Sequence, residues 1–525
     1  MNYLSKIKKP VLLILCVTFF IGHIMAENKD RKPMNVVFIL ADDLGWSDVT
    51  LYGTTKYYET PNIERLAARG LTFTHAYSAS PLCSPTRASI LTGQTPARNG
   101  ITAPVCHLKK VLLKPKCPAT SESGNKSVVC VSATRLNNTL PTMVKLIKNK
   151  GYTTAHFGKW HLGSEPYSPL QHGFDVDIPH WPGPGPAGSF VAPWKFPNFK
   201  ENYPKEHLED RMADEAIKWM RKLDGKKPFY MNYWQFSVHA PFNAKESLVK
   251  YYRTKTDLTD LQHSPTYAAM VHSLDQAVGR LLDEIDRMGI SDNTIIIFFS
   301  DNGGNMYNGI IDSLPSGEKY LTVPTSNRPL RGGKATMYEG GVRVPCVIVW
   351  PGLTHPGTKT DAMIQSTDFY PTILKQLGIA LPNNYKIDGK DISAALKGKD
   401  FDRGPIYTYF PHQPKIPNWL PPSVSVHLGD WKLIRIFYYG ENNKHSYRLY
   451  NLKWDIGETN NLAKKFPEKV KKLDALIESY LKDSKAVIPI PNPAFDPVKF
   501  HPENIGIQPG GLKFPKNFLV NINRN

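Results

Sequence analysis

Four stretches of this chain read as strands buried on both faces, and each one ends in polar residues. They span 35–40 (NVVFIL), 151–157 (GYTTAHF), 229–236 (FYMNYWQF) and 295–299 (IIIFF). Runs this apolar mark strands covered on both sides, as in α/β sheets, rather than the in–out alternation of a half-wet sheet. Between them lie segments of helical spacing: 61–70, with Pro first and Gly last, then 140–150, 212–223 and 267–288. Strands alternating with helices predict an α/β fold with a largely parallel sheet. In an open sheet of that kind the strand ends gather at one edge, and ligands bind there.

The residues at those ends carry the chemistry. The first strand delivers Asp42 and Asp43, the second Lys159 and His161, the third His239, and the fourth Asp301 and Asn302. Taken singly, each has an ordinary explanation: a turn, a helix cap, a solvated surface. Their shared position after a buried strand does not. Paired carboxylates beyond a central strand are costly to bury without a cation. Asp42, Asp43, Asp301 and Asn302 offer only oxygen donors, which suits a hard cation, Ca²⁺ ahead of Mg²⁺, and argues against zinc. Arg87, Lys159 and Lys334 are left to hold anionic oxygens, and His161 and His239 to move protons.

The run 83–93 (CSPTRASILTG) predicts a turn entering a short helix, with Pro85 in its first turn and Gly93 as its C-terminal cap. At a helix N-terminus Cys83 is expected to have a lowered pKa, with Arg87 one turn further on the same face. Together with the strand-end residues, this run closely resembles the signature of the type I sulfatases, of the alkaline phosphatase superfamily, and is similar to that of bacterial polysaccharide sulfatases. The resemblance implies a large mixed β-sheet sandwiched by helices and a smaller C-terminal α+β domain with a four-stranded antiparallel sheet.

It also implies that Cys83 is oxidised to formylglycine by a formylglycine-generating or anaerobic sulfatase-maturing enzyme. The metal set would then be Asp42, Asp43, Cys83, Asp301 and Asn302, around one Ca²⁺. The catalytic set would be Cys83, Arg87, Lys159, His161, His239 and Lys334. By the same resemblance His239, with Lys334, serves the leaving oxygen, and His161, steadied by Lys159, assists release of sulfate. Ala335 stands where many relatives have glycine. The implied reaction is hydrolysis of sulfate esters on a polysaccharide or oligosaccharide, either algal (ulvan, carrageenan, fucoidan) or glycosaminoglycan. The alternatives are a phosphodiesterase or phosphonate hydrolase of the same superfamily, and a non-catalytic binder of sulfated glycans.

At 525 residues the chain exceeds one ordinary domain. Residues 1–26 read as an export signal: Lys6, Lys8 and Lys9, an apolar run 11–21, and a cleavage site after Ala26. The apolar run is short for a membrane span, and a lipoprotein signal at Cys16 is the weaker reading. The expected location is therefore periplasmic or secreted. A compositional shift near 390–403 sets the expected division into a catalytic region, 27–395, and a C-terminal region with an extended tail, 396–525. The net charge of +19, three of it from leader lysines, suits a polyanionic partner; no nucleic-acid module is visible. Cys106, Cys117 and Cys130 lie in one Pro- and Lys-rich insertion, 101–135. With Cys346 they predict one or two disulfides rather than a zinc site. Residues 306–328 read as a polar, mobile loop, and 181–188 as a loop at the mouth of the site.

Overall fold

The computed structural model describes residues 32–512. The expected leader, and the last part of the tail, lie outside them. Eight strands form the main sheet: β1 (Asn35–Ala41), β2 (Leu71–Phe73), β3 (Thr153–Gly158), β4 (Val176–Ile178), β5 (Phe229–Trp234), β6 (Thr294–Ser300), β7 (Cys346–Val349) and β8 (Thr358–Thr360). Their order is β8-β2-β7-β6-β1-β5-β3-β4. Only β7 runs against the rest.

The period-two alternation of β1 splits the core into two layers. Val37, Ile39 and Ala41 pack with the helices α4 (Leu208–Arg221) and α5 (Pro265–Arg287). Val36, Phe38 and Leu40 pack on the other face with α2 (Cys83–Thr92), α3 (Met143–Asn149) and α6 (Phe369–Gln376). A further long-range brace is α1 (Pro61–Ala68), whose first N–H groups bond the buried carboxylate of Asp275 on α5.

A separate antiparallel sheet, β9 (Ile406–Phe410), β10 (Ser423–Leu428), β11 (Trp431–Ile436) and β12 (Ser446–Asn451), occupies the C-terminal region. One face is covered by α7 (Pro467–Ser484) through Leu473, Ile477 and Leu481. The other packs Ile434, Ile436 and Phe410 against Leu82, Ala335 and Met337, residues that flank Cys83 and Lys334. Buried Lys432 also bridges Glu339 (2.9 Å) and Glu458 (3.0 Å).

Two expectations change. Residues 306–328 are not a featureless loop: Ile310–Ser313 and Lys319–Thr322 pair as a hairpin. Asp312 fastens it by accepting from Ser264 (2.6 Å) and Thr266 (2.5 Å). The expected disulfides are also not formed. Cys83, Cys106, Cys117, Cys130 and Cys346 are free; Cys346 is buried within β7 and Cys106 within the apolar layer around α2 and α3. Cys117 and Cys130 do face each other, one step beyond the doubly bonded pair Lys116 and Val131. No helix among the described residues is long and apolar enough to cross a membrane.

Candidate active site

Strands β6, β1, β5 and β3 are neighbours and parallel, so their C-terminal ends share one edge. Ala41 is level with Ser300, and Leu40 and Gly158 are both level with Trp234. The next residues of each strand therefore converge: Asp42 and Asp43, Asp301 and Asn302, Lys159 and His161, and His239 after a short turn. All but His239, whose side chain is 18% exposed, are buried. The structure thus gathers the strand-end residues expected at this edge.

Cys83 arrives on α2, where all ten residues are buried. Such a polar helix tolerates burial because its hydroxyls find carbonyl acceptors, Thr92 to Ala88 O (2.7 Å) and Ser89 to Pro85 O (2.9 Å) within the helix and Ser84 to His161 O (2.7 Å) across the site. Gly93 ends it at φ 66°, and a Cβ there would meet the Tyr370 ring at 2.9 Å. The lowered pKa expected for Cys83 is not what the site produces. Burial raises the thiol's pKa, and Asp42 and Asp301 add to this, outweighing Lys159. These surroundings favour the thiol form over the thiolate.

Three cations meet three carboxylates. Lys159 Nζ lies 2.6 Å from Asp42 Oδ2, Lys334 Nζ 2.6 Å from Asp43 Oδ2, and the Arg87 guanidinium 2.7 Å from Asp301 Oδ2. Arg87 also donates to Lys159 O (2.6 Å) and lies over the Trp234 ring. Burial raises Asp42, and it raises Asp301 to about 6 with Asp42 adding to the effect. Burial also opposes ionisation of Asp43, but Lys334 and His239 outweigh it and hold that carboxyl well below its usual range. Lys334 in turn is held well above an ordinary lysine, Asp43 outweighing the cost of burial. Burial, then Lys334 and Lys159, lower His239 to about 3. Its Nδ1 donates to Ala240 O (2.7 Å), and its Nε2 faces Asp43 Oδ2 at 3.8 Å.

The expected metal set can be tested on its unused oxygens. Asp42 Oδ1 and Asn302 Oδ1 are buried acceptors with no hydrogen-bond partner. Ligating atoms of Asp42, Cys83 and Asp301 lie within 4.8 Å of one another. A cation that accepts oxygen donors fits both facts. The backbone is strained here as well: Asp43 (φ 64°), His161 (φ 52°) and Ala335 (φ 65°) occupy the left-handed region. At position 335 that conformation favours glycine, the residue the resemblance implies there.

Two residues join the site without having been expected. His107, from the insertion, places Nδ1 2.9 Å from His161 Nε2. Glu209 on α4 accepts from the backbone N–H groups of Phe236 (3.0 Å) and Ser237 (2.8 Å), in the turn that carries His239. Nothing in the insertion's sequence singles out His107. Glu209 had a signal: with Met212, Ala216 and Met220 it falls on the buried face of an amphipathic helix. The loop 181–188 lies against His239; a Cβ on Gly185 would sit 2.9 Å from its Nδ1.

Residues 34–379 match the family model described as Sulfatase, and residues 333–486 one described as N-sulphoglucosamine sulphohydrolase, C-terminal. The chain belongs to the sulfatase family. A protein named Sulfatase from Formosa agariphila is 30% identical, with 88% of this chain and 90% of that protein covered. The N-acetylgalactosamine-6-sulfatase of Rattus norvegicus is 32% identical, over 72% of this chain and 68% of its own length. The solved structure of Ps i-CgsB in complex with k-i-k-neocarrahexaose superposes with a TM-score of 0.68 at 25% identity, covering 86% of this chain and 94% of that one. The reaction of this sulfatase is the hydrolysis of sulfate esters, and the family norm is a modified residue at the position of Cys83.

Proposed function

We propose that this sulfatase removes sulfate from a sulfated polysaccharide or oligosaccharide, algal or glycosaminoglycan, outside the cytoplasm. The observation that carries the reading is the ring of strand-end residues around Cys83, with one carboxylate and one amide oxygen left unbonded. Exposed Lys109, Lys110, Lys114 and Lys116 on the insertion favour an anionic polymer at the mouth. The relatives' names, for an N-acetylgalactosamine sulfatase and a carrageenan-oligosaccharide complex, point to the same class. Export rests on the leader pattern of residues 1–26, and the division near residue 395 on the separate C-terminal sheet.

Asp42, Asp43, Asp301, Asn302 and position 83 would hold one divalent cation, Ca²⁺ ahead of Mg²⁺. Position 83, converted to formylglycine by a maturing enzyme, would supply a hydrated-aldehyde hydroxyl as the nucleophile toward sulfur, and the cation would supply charge that lowers this hydroxyl's pKa. Arg87, Lys159 and Lys334 already balance Asp42, Asp43 and Asp301 one for one. A divalent cation therefore leaves the site with two positive charges, matched by a sulfate monoester and one released proton. Arg87 and Lys159 hold the anionic oxygens. His161, whose Nδ1 is 3.5 Å from Cys83 Sγ, takes a proton from position 83. Lys334 and His239, grouped around Asp43, bring a proton to the departing sugar oxygen. At neutral pH Lys334 is the member of that pair that carries one.

The test is free sulfate released from a panel of defined oligosaccharides of ulvan, carrageenan, fucoidan and glycosaminoglycans. Turnover of at least one supports the reading. Silence on all of them, with turnover of aryl phosphate diesters, would replace it with the phosphodiesterase reading.

A further inference from the structure

We propose that His107 is a positioning residue for this reaction: it fixes which nitrogen of His161 carries the proton, leaving the other bare toward position 83. The proposal rests on the sulfatase reading of the site. His161 is fully buried and makes two ring contacts, Nδ1 to Cys83 Sγ at 3.5 Å and Nε2 to His107 Nδ1 at 2.9 Å. A contact between two ring nitrogens needs one proton between them. Either His161 donates from Nε2, or His107 donates from Nδ1.

The surroundings favour the first arrangement. His107 is exposed, and a neutral histidine in water prefers its proton on Nε2, which leaves Nδ1 as an acceptor. On the other side Cys83 Sγ lies 3.5 Å from His161 Nδ1, a contact in which an S–H can donate only to a bare Nδ1. A neutral imidazole carries one proton, so a proton on Nε2 leaves Nδ1 bare. The chain of donors then runs in one direction, from position 83 through His161 to His107. This is the tautomer that a proton acceptor facing position 83 must have.

The placement of His107 is built, not incidental. Arg135, itself 4% exposed, donates to Cys106 O (2.8 Å) and to Leu108 O (2.6 Å). One buried guanidinium thus clamps the backbone on both sides of His107 and aims its ring at the site. Without an acceptor at this point, buried His161 Nε2–H would lose its only partner, and the ring would gain from switching tautomer or turning.

The experiment compares His107→Leu, which cannot accept, with His107→Asn, whose Oδ1 stands near the place of Nδ1. On protein carrying unmodified Cys83 and ¹⁵N-labelled histidine, imidazole ¹⁵N shifts, assigned with a His161→Gln control, read the tautomer directly. Wild type and His107→Asn are expected to show His161 protonated at Nε2 and bare at Nδ1, and His107→Leu to lose that pattern. In the matured enzyme His107→Leu is expected to lower kcat ~10–100-fold with little change in KM, by the same factor on sugar and aryl sulfates, while His107→Asn recovers most of it. A His107→Leu protein with the wild-type tautomer and wild-type kcat would overturn the proposal. So would equal losses in both variants with a raised KM, which would make His107 a substrate contact. If matured wild type releases no sulfate at all, the sulfatase reading fails, and the ¹⁵N shifts still decide the role of His107.

Discussion

Glu209 offers a quantitative test of how the turn carrying His239 is held. Its Oε1 accepts from Phe236 N and Ser237 N. Ser237 O accepts from Asp42 N (2.9 Å), and Val238 N donates to Asp42 O (2.6 Å). One buried carboxyl therefore couples the end of β5 to the end of β1. No lysine or arginine pairs with it among the described residues, and burial pushes its pKa from 4.5 to about 7 despite the hydrogen bonds it accepts. Below pH 4.5 the carboxyl is protonated in both folded and unfolded chains. From 4.5 to 7 only the unfolded chain releases the proton, so stability falls as pH rises. The rise to about 7 corresponds to about 3 kcal/mol lost across that window.

Glu209→Gln keeps an acceptor for both N–H groups and does not titrate, so it should remove this slope. Its stability relative to wild type should rise by about 3 kcal/mol between pH 4.5 and 7.5. Glu209→Ala strands both N–H groups, at about 1–3 kcal/mol each at every pH, and should also lower kcat by releasing His239. Urea unfolding of the three proteins at pH 4.5, 6 and 7.5, followed by tryptophan fluorescence, makes the comparison. Parallel pH profiles for wild type and Glu209→Gln would refute the reasoning.

Three further outcomes are expected. A chelator should abolish turnover, Ca²⁺ should restore it better than Zn²⁺, and Asp301→Ala should cost about 3–5 kcal/mol by removing the carboxylate 2.7 Å from buried Arg87 and leaving it only Asp42, 3.8 Å away and already paired with Lys159; two zinc ions per active chain would contradict the single-cation site. His239→Ala and Lys334→Ala should lose more on a sugar sulfate than on nitrophenyl sulfate, within the ~10²–10⁴-fold range of general acid catalysis, because only the sugar alkoxide needs a proton to depart; equal losses on both substrates would remove that role. Cys117 and Cys130, opposed across a bridge whose neighbouring pair carries both backbone bonds, should oxidise together when a disulfide oxidant such as oxidised glutathione accepts their two hydrogens; a peptide map with both thiols still alkylatable after that treatment would contradict it.

The strand ends were legible because burial on both faces leaves a continuous apolar run that stops where the polar edge begins, as at Leu40 and Phe299. Position after such a run then identified Asp42, Lys159, His239 and Asp301 before any contact was known. His107 was not legible, since the insertion 101–135 has no periodicity and its aim depends on Arg135, 28 residues away. The hairpin within 306–328 is not legible for a related reason: its strands are short and partly polar, and Asp312 is held by α5 rather than by local pattern. The pKa of Cys83 went the other way because the helix N-terminus is a local effect, whereas burial and two neighbouring carboxylates are tertiary ones.

The most direct test of the central claim is the mass of the peptide containing residue 83, measured beside sulfate release in the same preparations. Protein co-produced with a maturing enzyme should show the mass of formylglycine, lighter than cysteine, and turnover should rise in proportion to the converted fraction. Cys83→Ala should fold and release no sulfate. Full turnover by protein whose residue 83 is entirely unmodified cysteine would contradict the account.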